Sequence, residues 1–235
     1  MKKSFLFLTI FFFIFLFTGC ASKEKPVRER DETYIADIDS FDLETVYLYT
    51  QRKTGKPKVN SVTFSFSPRT NYIFITTKIG IDFVRVGFSY EERKSLYNSY
   101  TMYINDFNEK SFSTEKPTKK NAYSKGYGLM YWGAAGLSYE ANAPYFTNVY
   151  FMEPSKPYYR LYFSAGEAIN SKSVYSPSFS IYISPTQWKQ ILDLCDQAKL
   201  EARVDDILAQ ANSFDDFTDN EFDEVEQVEE EYEEF

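Results

Sequence analysis

The sequence feature that most limits the fold is a two-residue alternation of apolar and polar side chains in several short segments. From Val62 to Ser67, large apolar residues alternate with Thr and Ser, and Phe179, Ile181 and Ile183 repeat the pattern. Because successive side chains of a strand point to opposite faces, this period predicts strands with one buried face. The chain also carries 23 Phe and 20 Tyr, which favour half-buried pleated surfaces. We therefore expect antiparallel sheet.

Eight segments of this kind are predicted to form strands. In chain order they are 45–50, 62–67, 72–79, 82–88, 127–132, 147–152, 158–164 and 179–183. Two other segments change to the three- and four-residue spacing of amphipathic helices. The first, 90–108, follows a capping-box sequence formed by Ser89 and Glu92. The second begins after Ser184, with Pro185 in its first turn, and its apolar pattern continues to residue 211.

The two halves of the chain have the same predicted order of elements. Each half contains four strands followed by a capped helix, so we expect an α+β fold in which antiparallel sheets carry two amphipathic helices. The pseudo-repeats run over about 45–108 and 126–211, which indicates an internal duplication of a ββββα unit. This order resembles the Whirly and PUR folds, which bind single strands. The resemblance implies, as one alternative, a ligand-binding module of that type.

The N-terminus has the parts of an export signal. Two lysines precede an apolar run from Phe5 to Phe17, and Thr18-Gly19-Cys20 follows. The run is shorter than the ~20 residues that a helix needs to cross a membrane. Phe17-Thr18-Gly19-Cys20 resembles a bacterial lipobox, in the relaxed form of spirochaetal lipoproteins that accepts Phe where most have Leu. The resemblance implies cleavage between Gly19 and Cys20 and acylation of Cys20, with palmitate among the chains.

This resemblance suggests four segments and a destination. We expect a signal peptide over 1–19, a lipidated cysteine and flexible tether over 20–40, a globular domain over 41–212 and a disordered acidic tail over 213–235. The lipid would anchor the protein in a membrane of the cell envelope. The outer membrane is favoured because Ala21-Ser22 lacks the Asp that retains some lipoproteins at the inner membrane. The partners expected there are an envelope protein or a glycan.

The negative charge of the chain is confined to its tail. The formal net charge is −8, but residues 213–235 hold 12 of the 34 acids and no base, whereas 20–212 hold 24 bases and 22 acids. A near-neutral body excludes nucleic-acid coating by bulk charge, so no nucleic-acid partner is expected. The tail is too acidic to fold alone. It is either a solubilising segment or a docking segment for a basic partner, such as the chain's own 110–125 linker. Its candidate anchors are Phe214, Phe217, Phe222 and Tyr232.

The residue types present argue against common catalytic machinery. The chain has no histidine, which excludes Ser-His-Asp and Cys-His catalysis and histidine-ligated metals, and we expect no cofactor or metal. Cys195 lies at helical spacing from Ile191 and Ala198 and is predicted to pack as a small apolar residue. We therefore expect a non-enzymatic binding or scaffolding protein. The alternative is an envelope glycan hydrolase that uses two carboxylates. The candidates are Asp82, Glu140, Glu153 and Glu167.

One group of aromatic residues is a candidate binding surface. Its members lie beside the glycine-rich loop after the fifth predicted strand or on the seventh: Tyr127, Tyr131, Trp132, Tyr158 and Tyr159. Such rings can stack on a sugar or a peptide. The alternative is that they fill half-buried sheet faces, because aromatic residues are strong strand formers.

Overall fold

The computed structural model is a closed antiparallel barrel of eight strands. The strands are β1 (Phe41–Arg52), β2 (Lys58–Ser67), β3 (Tyr72–Ile79), β4 (Asp82–Phe88), β5 (Ser124–Gly133), β6 (Tyr139–Glu153), β7 (Lys156–Phe163) and β8 (Phe179–Ile183). Each strand pairs with the next one in the chain, and β8 pairs with β1. The helices are α1 (Tyr90–Glu109), α2 (Pro185–Leu194) and α3 over 197–213. The structure describes residues 33–113, 118–133, 136–169 and 171–213.

The predicted α+β fold with a duplicated ββββα unit is wrong. The two predicted halves do not form sheets of their own, because β4 pairs with β5 across the linker and β1 pairs with β8. These ladders join segments that are far apart in the chain, so the local periodicity that predicts each strand does not predict them. A turn at Cys195 also separates α2 from α3, so the described chain has three helices and not two.

The barrel interior is filled by the inward-facing side chains of all eight strands. An eight-stranded barrel encloses a space just wide enough for side chains to fill. Its largest fully buried members are aromatic, and they include Phe66, Tyr145, Tyr159, Phe163 and Phe179. Phe163 stacks on Phe179 with ring centroids 4.9 Å apart, and Tyr145 contacts Phe163 at 6.2 Å. Many of the aromatic side chains of the sequence therefore pack in the barrel core.

The two ends of the barrel are built differently. At the capped end, α1 follows β4 and α2 follows β8, and both helices lie over the barrel opening. Leu96 of α1 and Ile191 of α2 join the buried core there, and Trp188 contacts Tyr159 at a centroid distance of 5.0 Å. At the opposite end, which we call the loop rim, lie the connections after β1, β3, β5 and β7, and their described residues form no helix.

The helices begin where the sequence predicts. Ser89 caps α1 by accepting a hydrogen bond from the Glu92 backbone N–H. Ser184 and Gln187 form a complete capping box at the start of α2, with Pro185 in its first turn. Because both caps directly follow a strand, each helix turns immediately over the end of the barrel. None of the described helices is long and apolar enough to cross a membrane.

The described chain enters the fold at the capped end. The backbone N–H of Ile35 donates to the Pro68 carbonyl at 2.9 Å, and Arg69 forms ion pairs with Asp37 and Asp39 at 2.6 and 2.9 Å. Ile35 also packs against the core. The last part of the predicted tether, 33–40, thus contacts the turn between β2 and β3.

Candidate functional site

A wide groove runs between α1 and α2 at the capped end. This α1–α2 groove has a volume of about 1220 Å³ and continues to the start of α3. Tyrosines and cations dominate its walls, which include Tyr90, Arg93, Lys94, Tyr97, Tyr100, Lys189, Leu192 and Lys199. The residues of α1 recur at three- and four-residue spacing, so one face of this helix forms a whole wall of the groove.

A small apolar cavity lies directly beneath the groove, inside the barrel. Its volume is about 80 Å³. Apolar side chains from the strands and from both helices line nearly all of it, among them Leu48, Val62, Phe64, Ile75, Leu161, Ile181, Trp188 and Ile191. Four residues, Arg93, Tyr97, Leu192 and Cys195, line both the cavity and the groove. These four, which we call the shared wall, separate the cavity from the groove.

Arg93 is the charged member of the shared wall. Its Nη2 lies 2.6 Å from Oδ1 and 3.0 Å from the carbonyl oxygen of Asn71, and 3.1 Å from Oε1 of Gln197. These partners are neutral, and Nε of Arg93 has no hydrogen-bond partner among the described residues. Burial lowers the pKa of Arg93. The guanidinium therefore places a positive charge, with no carboxylate against it, at the boundary of an apolar cavity.

The other charges of the groove are mostly paired. Lys94 forms an ion pair with Glu91 at 2.5 Å, and Lys199 forms one with Asp193. Lys189 has no ion-pair partner in the described part of the chain. The groove is lined by four cations (Arg93, Lys94, Lys189 and Lys199) and two acids (Asp193 and Asp196), and in the described part of the chain Arg93, Lys189 and Asp196 have no ion-pair partner. The excess of positive charge favours an anion.

Cys195, in the shared wall, is not set up as a nucleophile. It packs against the core beside Leu192 and Leu194. Burial raises the pKa of its thiol to about 12, and the positive charge of Arg93 only partly opposes this. Because the thiolate is the reactive form, this thiol is inert at neutral pH.

The structure does not bring the five aromatic candidates to one surface. Tyr159 is 0% exposed and Trp132 is 6% exposed, so both belong to the core. The Tyr159 hydroxyl contacts Ser99 Oγ at 2.8 Å, and Trp132 stacks on Tyr139. The other three lie apart on the outer surface. Tyr127 is exposed, Tyr131 packs towards Phe74, and Tyr158 packs edge-on against Tyr49.

The remaining predicted site residues fall into two groups. Gly19, Cys20, Phe214, Phe217, Phe222 and Tyr232 lie outside the described residues. Of the candidate carboxylates, Glu153 forms an ion pair with Lys156 in the β6–β7 turn at the capped end, whereas Asp82, Glu140 and Glu167 belong to the loop rim. In the described part of the chain, no three His, Cys, Asp or Glu side chains are grouped to hold a metal ion.

Sequence reasoning missed both unpaired cations of the groove. Arg93 comes four residues after the Ser89 cap, and Lys189 comes five residues after the Ser184 cap. Both cations thus lie in the second turn of a helix that directly follows a strand, and this similarity is a sequence signal that could have paired them. It becomes informative only once β8 is known to return to β1, because that closure brings both helix starts to the same end.

The fold and the groove define this chain as an antiparallel β-barrel with one helix-capped end. It belongs to a family described as "uncharacterised Treponema protein", whose profile matches residues 27–202. The chain is 23% identical over 154 residues to an "uncharacterized protein" of Treponema pallidum (strain Nichols). That match covers 65% of the chain and 55% of the relative, so the chain spans about half the length of this relative. No solved structure shows a significant match.

Proposed function

We propose that the protein is a non-enzymatic, lipid-anchored envelope protein whose barrel binds a small amphipathic ligand in the α1–α2 groove. The ligand has an anionic head and a short apolar chain. The observation that carries this proposal is the position of Arg93, an unneutralised cation on the wall between an open groove and an apolar cavity. The lipid anchor rests on the lipobox resemblance at Gly19 and Cys20.

The cavity supports the apolar half of the ligand. At about 80 Å³ it is roughly half the size of an engineered cavity of about 150 Å³ that binds benzene. It therefore suits the end of an aliphatic chain, while the rest of the chain lies in the groove against Tyr97 and Tyr100. Each methylene removed from water contributes about 0.8 kcal/mol. A chain of several carbons then binds measurably.

The shared wall supports the anionic half. A guanidinium presents paired donors that match a carboxylate or a phosphate, and Arg93 lines both the groove and the cavity. Lys189 adds a second positive charge from the facing helix. Because the surroundings of Arg93 are partly desolvated, its attraction for an anion is stronger than that of a surface lysine.

The proposed lipid anchor agrees with delivery of the ligand from a membrane. An acylated Cys20 would attach the protein to a bilayer, which is a source of amphipathic anions. Acylation is tested by palmitate labelling in cells, which the Cys20→Ala variant should abolish.

Ligand binding can be followed through Trp188, which borders the cavity. The chain has two tryptophans, so Trp132→Phe leaves Trp188 as the only reporter. We expect octanoate to change its fluorescence at saturable concentrations. Octanol has the same chain without the charge and should bind at least about fivefold more weakly, and octylamine more weakly still. Equal affinities for octanoate and octylamine, or no binding by any of the three, would contradict the proposed function.

The head-group contact is tested by removing one cation at a time. Lys189→Gln should weaken octanoate about threefold and leave octanol unchanged, as expected for an exposed charge. Arg93→Gln should weaken octanoate by about tenfold or more. Lys172→Gln, which removes an exposed lysine in the β7–β8 connection, is the matched control. If Lys172→Gln weakens octanoate as much as Lys189→Gln, the groove is not the site.

A further inference from the structure

A second concave site lies at the loop rim, between the β1–β2 and β3–β4 turns. This rim pocket has a volume of about 310 Å³. Nine residues line it: Thr50, Arg52, Gly55, Lys56, Lys58, Asn60, Lys78, Ile79 and Gly80. Four of them are cations and none is an acid. It lies at the opposite end of the barrel from the α1–α2 groove and shares no residue with it.

The strand register places this charge at the mouth of the barrel interior. Leu48 and Thr50 face inward and are 1% and 3% exposed, and Arg52 is the next residue of the same register. Lys58 is the register partner of Thr50 on β2, so it also belongs to the inward row. The inward row of β1 therefore passes from apolar to polar to cationic within five residues. Arg52 and Lys58 are exposed, so this row ends in solvent-accessible cations at the mouth of the barrel.

Two close contacts lie at the walls of the pocket. Gly80 has a φ of 71°, and a Cβ on this residue would lie 2.6 Å from Nη1 of Arg52. The guanidinium thus lies against the β3–β4 turn, where the positive φ favours glycine and the missing side chain leaves room for the observed position of Arg52. On the facing side, Nδ2 of Asn60 donates to Oγ1 of Thr50 at 2.5 Å. The hydrogen bond joins β1 and β2 at the pocket, and the glycine leaves space for Arg52.

The four cations of the rim pocket have no neutralising carboxylate in the described structure. Within the described residues, none of them forms an ion pair, and only Lys78 makes a ring contact, with Phe83 at 5.7 Å. Elsewhere on the surface Arg69 and Lys156 each have carboxylate partners. Like charges confined to one pocket repel one another, and a bound anion removes that repulsion.

We propose that the rim pocket binds the phosphate group of a small ligand. Arg52 can hold two phosphate oxygens with a bidentate contact, and the lysines supply further donors to the same anionic group. A volume of about 310 Å³ is enough for a phosphate with a glycerol- or sugar-sized substituent. The phosphate belongs either to a free small molecule or to a lipid headgroup, and the two sources are separated by experiment.

The test is calorimetric titration of the full chain with glycerol 3-phosphate at fixed ionic strength. We expect a Kd of about 1 mM or lower, and a loss of at least about tenfold in Arg52→Gln. Lys53→Gln is the matched control, because it removes the same charge from the adjacent residue, which does not line the pocket. It should change the Kd by less than about twofold. Far-ultraviolet circular dichroism checks that both variants are folded.

A vesicle arm identifies the source of the phosphate. Sedimentation with phosphatidylglycerol vesicles compares Arg52→Gln with Lys53→Gln, so any contribution of the N-terminus is the same in both. A loss confined to Arg52→Gln shows that the pocket takes a lipid headgroup. A loss seen only with glycerol 3-phosphate shows that it takes a free phosphate ester. Equal binding by the two variants in both arms, or no binding of either phosphate, would overturn the proposal.

Discussion

The inward-facing positions of the strands are apolar at one end of the barrel and cationic at the other. At the capped end, inward positions meet α1 and α2 and enclose an apolar cavity under a groove with two unpaired cations. At the loop rim, none of the described helices covers the barrel, and the inward row of β1 and β2 ends in Arg52 and Lys58. The comparison indicates that the capped end carries much of the stability, whereas the rim carries charge that the fold does not need. We propose that each end also has its own ligand, an amphipathic anion at the capped end and a phosphate at the rim.

The largest effect is expected from Trp188→Ala at the capped end. Trp188 is 5% exposed and packs on Tyr100 and Tyr159 at centroid distances of 4.8 and 5.0 Å. Truncating a buried aromatic ring leaves a cavity, so the free energy of unfolding should fall by about 3–5 kcal/mol in urea denaturation. Lys58→Ala at the rim should change it by less than about 0.5 kcal/mol. Similar losses of unfolding free energy in both variants would show that the capped end is not more important for stability than the rim.

The capped end should also determine how stability responds to alkaline pH. Burial raises the pKa of Cys195 to about 12 from its ordinary value of 9.0, and it raises the pKa of Tyr103 and Tyr159 above 10.0. The folded state thus keeps protons that the unfolded chain releases, so this stabilisation is complete below pH 9 and is lost as pH rises towards 12. Each such group lowers the free energy of unfolding by at most about 1.4 kcal/mol per pH unit.

This pH dependence is measured from urea denaturation midpoints between neutral pH and pH 11. Tyr103→Phe removes one of the titrating groups and should make the alkaline decline less steep. An exposed tyrosine, Tyr47, provides the control, and Tyr47→Phe should leave the slope unchanged. A slope that is equal in both variants would show that the buried tyrosines do not carry the effect.

Gly80→Ala should separate the two binding sites. The left-handed φ of this residue disfavours alanine by about 1–2 kcal/mol, and the new Cβ displaces Arg52. We expect the free energy of unfolding to fall by that amount and glycerol 3-phosphate binding to be lost, while octanoate binding at the capped end is unchanged. Gly136→Ala is a useful control, because it has a similar φ of 86° but no atom within 4 Å of its Cβ position. Loss of phosphate binding in both variants would indicate a general destabilisation.

The sequence predicted most of the individual strands and helices, but it did not predict that the strands close into a barrel. β3 and β4 have the predicted bounds because Tyr72–Ile79 and Asp82–Phe88 lie between clear turn residues. The first half of β6 was missed because Ala141, Ala143 and Pro144 are poor strand formers, and this segment is extended only through its pairing with β5. Barrel closure depends on the β1–β8 ladder, in which Tyr49 pairs with Tyr182, and no periodicity reports such a pairing.

The candidate sites show the same contrast between local features, which the sequence predicts, and tertiary contacts, which it does not. The absence of histidine and the inert setting of Cys195 could be read from the chain. The groove depends on two helix starts meeting at one end, and the rim pocket depends on Arg52 lying over Gly80. Both are products of tertiary packing. The aromatic candidates failed to form one surface because alternate residues, such as Tyr158 and Tyr159, point to opposite faces of a strand.

The smallest effect is expected from the acidic tail. Residues 214–235 hold 12 acids and no base, so deleting them changes the formal net charge from −8 to +4. A less negative chain attracts a phosphate more strongly, and we expect the rim pocket to bind glycerol 3-phosphate about twofold more tightly at low ionic strength, with the difference lost in about 0.5 M salt. Octanoate at the capped end is held largely by its apolar chain and should change less. A larger gain that survives high salt would show that the tail docks at the rim and competes for it, which would connect two regions that otherwise act independently.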